Sequence, residues 1–292
     1  MKKLNYSYEV NYSFSQPVSE HCFALRILPV TDEEQGIYAS EYSVFGGSSL
    51  YGTLTDCCRR ASCGVSLDGF GNQVVSGRLA EPHDRFSFCV TGTAYTDRRR
   101  PCKWEARPLP IYRFATSLTR PGERIGTLYR ESRERIHREA AACPDGEMRG
   151  RARLWMHLLA EHFSYVPGAT DIHTTAEEAF TGGAGVCQDY AQILLALLRL
   201  DGIPARYIAG MLIGEGATHA WCEAWCDGVW IGFDPTHDRE LDEDYIQVAR
   251  GRDYADCIMD RGSFRGYAVQ SQEVAVKVAE TLPQPVDRWD WF

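Results

Sequence analysis

Apolar side chains alternate with polar ones from the start of the chain: Leu4, Tyr6, Tyr8, Val10, Tyr12 and Phe14 are separated by Asn5, Ser7, Glu9, Asn11 and Ser13. A period of two belongs to a strand with one face buried, and Gln16-Pro17 closes the run because proline has no N–H to give a ladder. Phe23, Leu25 and Ile27 repeat the pattern up to Pro29. From Ile37 to Tyr112, alternating runs such as Val74 to Leu79 and Phe86, Phe88, Val90 are broken by turn residues at Gly46-Gly47, Asp68-Gly69 and Gly71-Asn72. Short strands at this spacing predict an antiparallel β-sandwich.

The period then lengthens. Ile125, Leu128, Tyr129 and Ile136, among many Glu and Arg, predict a helix over about Thr119 to Cys143, ended by Cys143-Pro144-Asp145-Gly146. A second helix, about Met148 to Phe163, presents Leu154, Leu158 and Leu159. Thr174 and Thr175 precede Glu177 and Glu178 by three residues, which is a capping-box spacing for a short helix ending near Gly182-Gly183. Tyr190, Ile193, Leu194, Leu197 and Leu198 mark a further helix that stops at Gly202 and holds Cys187 in its first turn. Strands follow at Tyr207 to Ile213, Ala217 to Cys226 and Val229 to Phe233, with Asp227-Gly228 as a two-residue turn, and Val274, Val276 and Val278 alternate once more. The chain is thus expected to be α+β, with an N-terminal β-sandwich over residues 1–115 and a second domain over 116–292 that opens on the linker helix 119–143.

Composition changes this picture little. With 292 residues, 44% of them hydrophobic and 24% charged, the chain is long enough for two self-sufficient cores. A net charge of −9 gives no footprint for nucleic acid or for an anionic membrane surface, and the basic runs at Arg98 to Arg100 and Arg149 to Arg153 are short. Met1-Lys2-Lys3-Leu4 is followed by Asn5, Ser7, Glu9 and Asn11 where a signal peptide needs an apolar run, and no stretch is apolar enough to span a bilayer. A cytoplasmic protein is expected. The cysteine count, eleven, is odd and its spacing irregular, which favours reduced thiols over a disulfide framework.

The candidate chemistry lies in the second half. Gly185-Val186-Cys187-Gln188-Asp189 puts a thiol at a helix start, where the peptide dipoles favour its thiolate, and the glycines before it clear the approach. The Cys187 backbone N–H is a first oxyanion donor; a second is not evident, with Tyr165 a substitute candidate. In Thr218 to Cys226, alternation places His219, Trp221, Glu223 and Trp225 on one strand face and small Ala and Cys residues on the other. Asp234 ends the partner strand, and the hairpin brings it close to the row of His219 or Ala220.

Other residues read more plainly. Cys222 and Cys226 suit packing better than a zinc site, Trp221, Trp225 and Trp230 suit core or cleft walls, and no metal or cofactor is called for. Asp189 reads as a helix-start or supporting group, and Glu223 as a neighbour of the site or a solvated strand residue. Among the histidines, His21, His83, His137, His157 and His162 read as ordinary surface or core residues, whereas His173 and His237 flank the motifs and stay ambiguous. Trp289 and Trp291 could anchor the tail in a groove or lie on a frayed terminus.

Gly185 to Ala191, then Gly202-Ile203-Pro204-Ala205-Arg206-Tyr207 and Gly210, then His219-Ala220-Trp221 and Trp230 through Asp234-Pro235-Thr236, resemble the core of the transglutaminase-like superfamily. Gly251 to Asp256 resembles the tail of bacterial members, and the opening strands resemble the β-rich region before their core. The resemblance implies a papain-like arrangement with Cys187, His219 and Asp234 as a triad, and a protein or peptide substrate. It further implies hydrolysis of peptide or carboxamide bonds, with transfer to an amine as the alternative. A non-catalytic binding module with a relic triad is the alternative of another class.

Overall fold

A computed structural model describes residues 1–47, 59–98 and 108–280. Trp289, Trp291, Cys57, Cys58, Cys102 and most of the Arg98 to Arg100 run lie outside the described residues. The first half consists of β1 (Lys2–Leu25), β2 (Gln35–Gly47), β3 (Arg59–Arg60), β4 (Cys63–Leu67), β5 (Gln73–Leu79) and β6 (His83–Thr96). The second half runs α1 (Glu123–Ala140), α2 (Glu147–His162), β7 (Ser164–Tyr165), α3 (Ala176–Gly182), β8 (Ala184–Gly185), α4 (Cys187–Leu200), β9 (Ala205–Leu212) and β10 (Gly214–Gly216). It continues with β11 (His219–Cys226), β12 (Val229–Asp234), β13 (Arg239–Glu240), β14 (Tyr245–Gly251), β15 (Asp260–Arg265) and β16 (Gln270–Ala279).

The architecture is α+β, and among the described residues the larger sheet has nine antiparallel strands curled about β1. The two runs expected as separate strands are one. Its first half pairs with β6 and β16, its second with β5 and β15, and the register breaks between Ser13 and Val18. Pro17 lies within that break, where a missing N–H costs no ladder bond, and Glu20 beyond it has a φ of 52°. The layers of the expected sandwich are therefore two halves of one sheet turned over on a bent strand. The strands β15 and β16, from the far end of the chain, pair with β1 in this sheet, as β10 does through β16.

The second sheet, ordered β13-β12-β11-β9-β14, packs against α4. Every residue of α4 from Asp189 to Arg199 is buried, with apolar side chains around the helix and Asp189, Gln192 and Arg199 buried among them. The sheet supplies one wall, and α1, α2 and α3 supply the others. The small face of β11 lets the helix come close: the Cys222 thiol donates to the Ala191 carbonyl at 3.0 Å. Burial pushes the thiols of Cys222 and Cys226 up, which keeps them protonated packing residues.

Arg199 fastens the chain segment that precedes the helices to this core. Its buried guanidinium donates to the carbonyls of Tyr112, Ala205 and Arg252 and to the Thr119 hydroxyl. Burial lowers its pKa to about 10, and it remains charged at neutral pH. Arg199→Ala would leave these acceptors unpaired in a dry site. A loss of about 3 kcal/mol is expected, read as a lower denaturant midpoint; an unchanged midpoint would mean that the clamp adds nothing.

Candidate active site

Val186 caps α4 in an extended conformation, so Cys187 is its first helical residue and keeps an unpaired N–H at the positive end of the dipole. Asp189, three residues into the helix, accepts from the Val186 N–H at 2.8 Å and from the Thr170 hydroxyl at 2.6 Å. It is a helix-start group that also ties down the loop before α3. Burial raises its pKa, and the two donors oppose that rise. Gly185 is required here by space, because a Cβ would stand 2.4 Å from Asp189 Oδ2.

β7 and β8 form a short parallel pair with Tyr165 opposite Gly185. This brings Tyr165 to the nucleophile side: burial raises its pKa, and the sulfur of Cys187 adds to the rise. The phenol is 53% exposed and so lies at an open edge of the site.

His219 begins β11 and Asp234 ends β12. The turn between the strands has positive φ at both Asp227 and Gly228, the signature of a two-residue hairpin that follows strand twist. Its ladder pairs Cys222 with Phe233, so Asp234 continues opposite Trp221, one residue from Ala220 and two from His219, the rows expected from the sequence. On the shared face it reaches His219 diagonally, with His219 Nε2 2.8 Å from Asp234 Oδ2.

Asp234 has no exposed surface, yet it holds five hydrogen bonds. Oδ2 accepts from His219 Nε2, from His237 Nδ1 at 2.7 Å and from the Tyr245 hydroxyl at 2.7 Å. Oδ1 accepts from the backbone N–H groups of Thr236 and His237. Burial alone would raise the carboxyl pKa, but these donors hold it well below the usual carboxylate range. An ionised carboxylate only accepts, so both imidazoles donate to it. For His219 this fixes a proton on Nε2 and turns Nδ1 away from Asp234, and the Cys187 sulfur is near enough to favour the charged imidazole. Burial by itself would lower the His219 pKa; the hydrogen bond to Asp234 and the nearby Cys187 sulfur outweigh it and raise the value to about 9.

The structure thus gathers Cys187, His219 and Asp234, and adds two residues that the sequence reading left ambiguous or passed over. His237, 45% exposed, is Asp234's second imidazole. Its place three residues after Asp234, past Pro235, was the available signal. Tyr245 comes from β14, and nothing in the sequence announces that its hydroxyl meets Asp234. The ligand atoms of His219, Asp234 and His237 lie within 4.8 Å of one another and could hold a metal ion, though hydrogen bonds among themselves now engage them. Glu223 is neither solvated nor in the site: it is buried in an ion pair with Arg206 at 2.7 Å, whose guanidinium lies over Trp230.

Asp234→Asn removes the negative charge that holds the His219 proton. The His219 titration is expected to fall from about 9 toward the ordinary value of about 6.5, followed by its ring resonances in an NMR pH series. A titration left near its original position would show that Asp234 does not control this imidazole.

Residues 137–235 match the family model of the transglutaminase-like superfamily. An uncharacterized protein of Mycobacterium leprae is 40% identical over 124 residues, which are 39% of this chain and 44% of that protein. An uncharacterized protein of Mycobacterium tuberculosis is 32% identical over 230 residues, 68% of this chain and 71% of the relative. A protein-glutamine gamma-glutamyltransferase of Pseudomonas aeruginosa is 30% identical over 115 residues, 34% of this chain and 17% of that one. This chain therefore spans less than half of the first relative and of the last. Among solved structures, "a Putative Cysteine Protease from Cytophaga hutchinsonii" has a TM-score of 0.67 at 22% identity, over 97% of this chain and 93% of its own, which is a likeness of fold. By the family model over residues 137–235, and by sequence over two thirds of the tuberculosis relative, the protein belongs to the transglutaminase-like superfamily.

Proposed function

We propose that the protein is a thiol enzyme that transfers acyl groups from peptide or carboxamide bonds, and that it passes them to water. The observation that carries this reading is the His219 imidazole, held by Asp234 through Nε2 and raised in pKa by Asp234 and the neighbouring Cys187 sulfur. A protonated imidazole beside the sulfur stabilises the thiolate, which is the attacking species. The thiolate adds to the carbonyl carbon, and the developing oxyanion takes the free N–H of Cys187. The Tyr165 phenol, at the same edge, is the second donor. His219 then gives its proton to the leaving amine, and a thioester remains on Cys187. Water enters, His219 takes its proton, and the acid leaves with the thiol restored.

Asp234 acts by orientation and charge throughout, with Tyr245 and His237 keeping its oxygens aimed. Water as acceptor is favoured by the opening at Tyr165, which is half exposed to solvent. Transfer to an amine uses the same thioester and differs only in what arrives second.

Iodoacetamide at a stoichiometric dose and neutral pH is expected to alkylate Cys187 well ahead of the other ten cysteines, as peptide mapping would reveal. Equal labelling would refute an activated thiol. Cys187→Ala should lower turnover of a peptide library by more than about ten-thousandfold. Amine incorporation as the main product, when a primary amine is added, would overturn the choice of water.

The pH dependence has a definite sign. His219 must carry its proton to donate it, and that proton is lost as pH rises through about 9. Activity is expected to fall on the alkaline side of that value. In Asp234→Asn the fall should move to lower pH, and a rate that climbs steadily past pH 9 would contradict the role given to His219.

A further inference from the structure

The curled sheet and the loop before α3 border an open cavity of about 400 Å³ that the acyl transfer does not use. Its wall comes from both sides of the β1 bend, with Phe14 before it and His21 and Phe23 after it, closed by Phe86 of β6 and Phe264 of β15. Ring centroids of Phe86, Phe264 and Phe14 stand 4.5, 5.9 and 6.0 Å from that of His21. The imidazole is only 5% exposed and is the polar centre of an aromatic box.

The protons of this centre can be placed. The Glu81 carbonyl, 2.9 Å from His83 Nδ1, can only accept, so Nδ1 carries the proton and His83 Nε2 offers a lone pair. His21 Nδ1, 3.2 Å away, must donate to that lone pair. His21 Nε2 is thereby left as an acceptor, and no hydrogen bond reaches it from the described residues. Burial and the neighbouring His83 lower the His21 pKa to about 4, so the lone pair is not taken by a proton at neutral pH. The residue of β15 that faces it is Gly262, where a Cβ would stand 2.8 Å from Nε2. A larger residue would cover the acceptor.

We propose that this cavity binds an aromatic group bearing a hydrogen-bond donor, a phenol or an indole, with the Phe rings holding its faces and His21 Nε2 accepting from it. Asp260, Arg261 and Gln270 also line the cavity, but around His21 the wall is aromatic, and an orphan acceptor there discriminates because a ligand without a donor leaves it unpaired. The volume admits one such ring and leaves room for a longer substituent or a peptide backbone. Ile172 and His173 form part of the rim, and the loop that carries them is fastened by Thr170 to Asp189 in the first turn of α4. The group could come from a free small molecule or from a tyrosine or tryptophan of a peptide.

Calorimetric titration of the full chain with p-cresol, toluene and a short tyrosine peptide tests this. p-Cresol is expected to bind about five- to tenfold more tightly than toluene, as one extra hydrogen bond gives. His21→Phe keeps the aromatic box and should erase the difference. In the wild-type protein, p-cresol should move the ¹⁵N resonance of His21 Nε2 while toluene leaves it in place, which decides the matter even if the variant folds poorly. A peptide that binds more tightly than p-cresol identifies a side chain as the ligand; one that binds no better identifies the free molecule. Absence of p-cresol binding, equal affinity for p-cresol and toluene, or a preference that survives His21→Phe would each overturn the proposal. Binding in Cys187→Ala should match the wild type, so the outcome is independent of the acyl-transfer reading.

Discussion

A single carboxylate oxygen, Asp234 Oδ2, collects side-chain donors from β11, from the residues just after β12 and from β14. An anion so buried is tolerable only if its lone pairs are filled, and three donors on Oδ2 with two backbone donors on Oδ1 fill them. Their charge assistance keeps the group ionised, and an ionised group accepts from each. The His219 tautomer and the direction of its free nitrogen follow from this one requirement. Geometry at the sulfur is therefore set by electrostatics one residue further in.

The other half of the arrangement is a helix with no exposed side. α4 could not shift along its axis without breaking contact with a sheet and three helices, and its first residue is Cys187. A thiol on a loop would be free to wander; at the first position of a wedged helix it is fixed relative to β11. The Cys222 thiol sets the spacing between helix and strand through a bond that a larger side chain would prevent. Arg199 does comparable work at the far end of the same helix, holding carbonyls from three segments.

The large sheet is joined to these elements through β10, and through Gln35 and Asn72, whose side chains bond the backbone of Gln247 and Arg250 in β14. Its long first strand turns over where Pro17 interrupts the ladder, and aromatic residues from the two halves then face each other. A paired buried imidazole within such a cluster is unusual, because each ring must find a partner whose tautomer fits. Here the chain of donors starts at a backbone carbonyl and ends on an open lone pair.

Much of this was legible in the residues in order. Period-3.6 runs located the four helices, and period-two runs the strands between Tyr207 and Phe233, to within a few residues, since burial of one face acts locally along an element, whereas β14 and β15 were not marked. The thiol at a helix start, the small face of β11 and the Asp227-Gly228 turn were equally local, so Cys187, His219 and Asp234 could be named together. What depended on distant chain segments was hidden: Tyr245 on Asp234, His21 on His83, Arg206 on Glu223, and the return of β15 and β16 to β1. His237 lies between, because its position is local and its partner is visible only once β12 ends. Sequence spacing reports which face a residue shares, whereas the partner across that face is chosen by the packing of strands far apart in the chain.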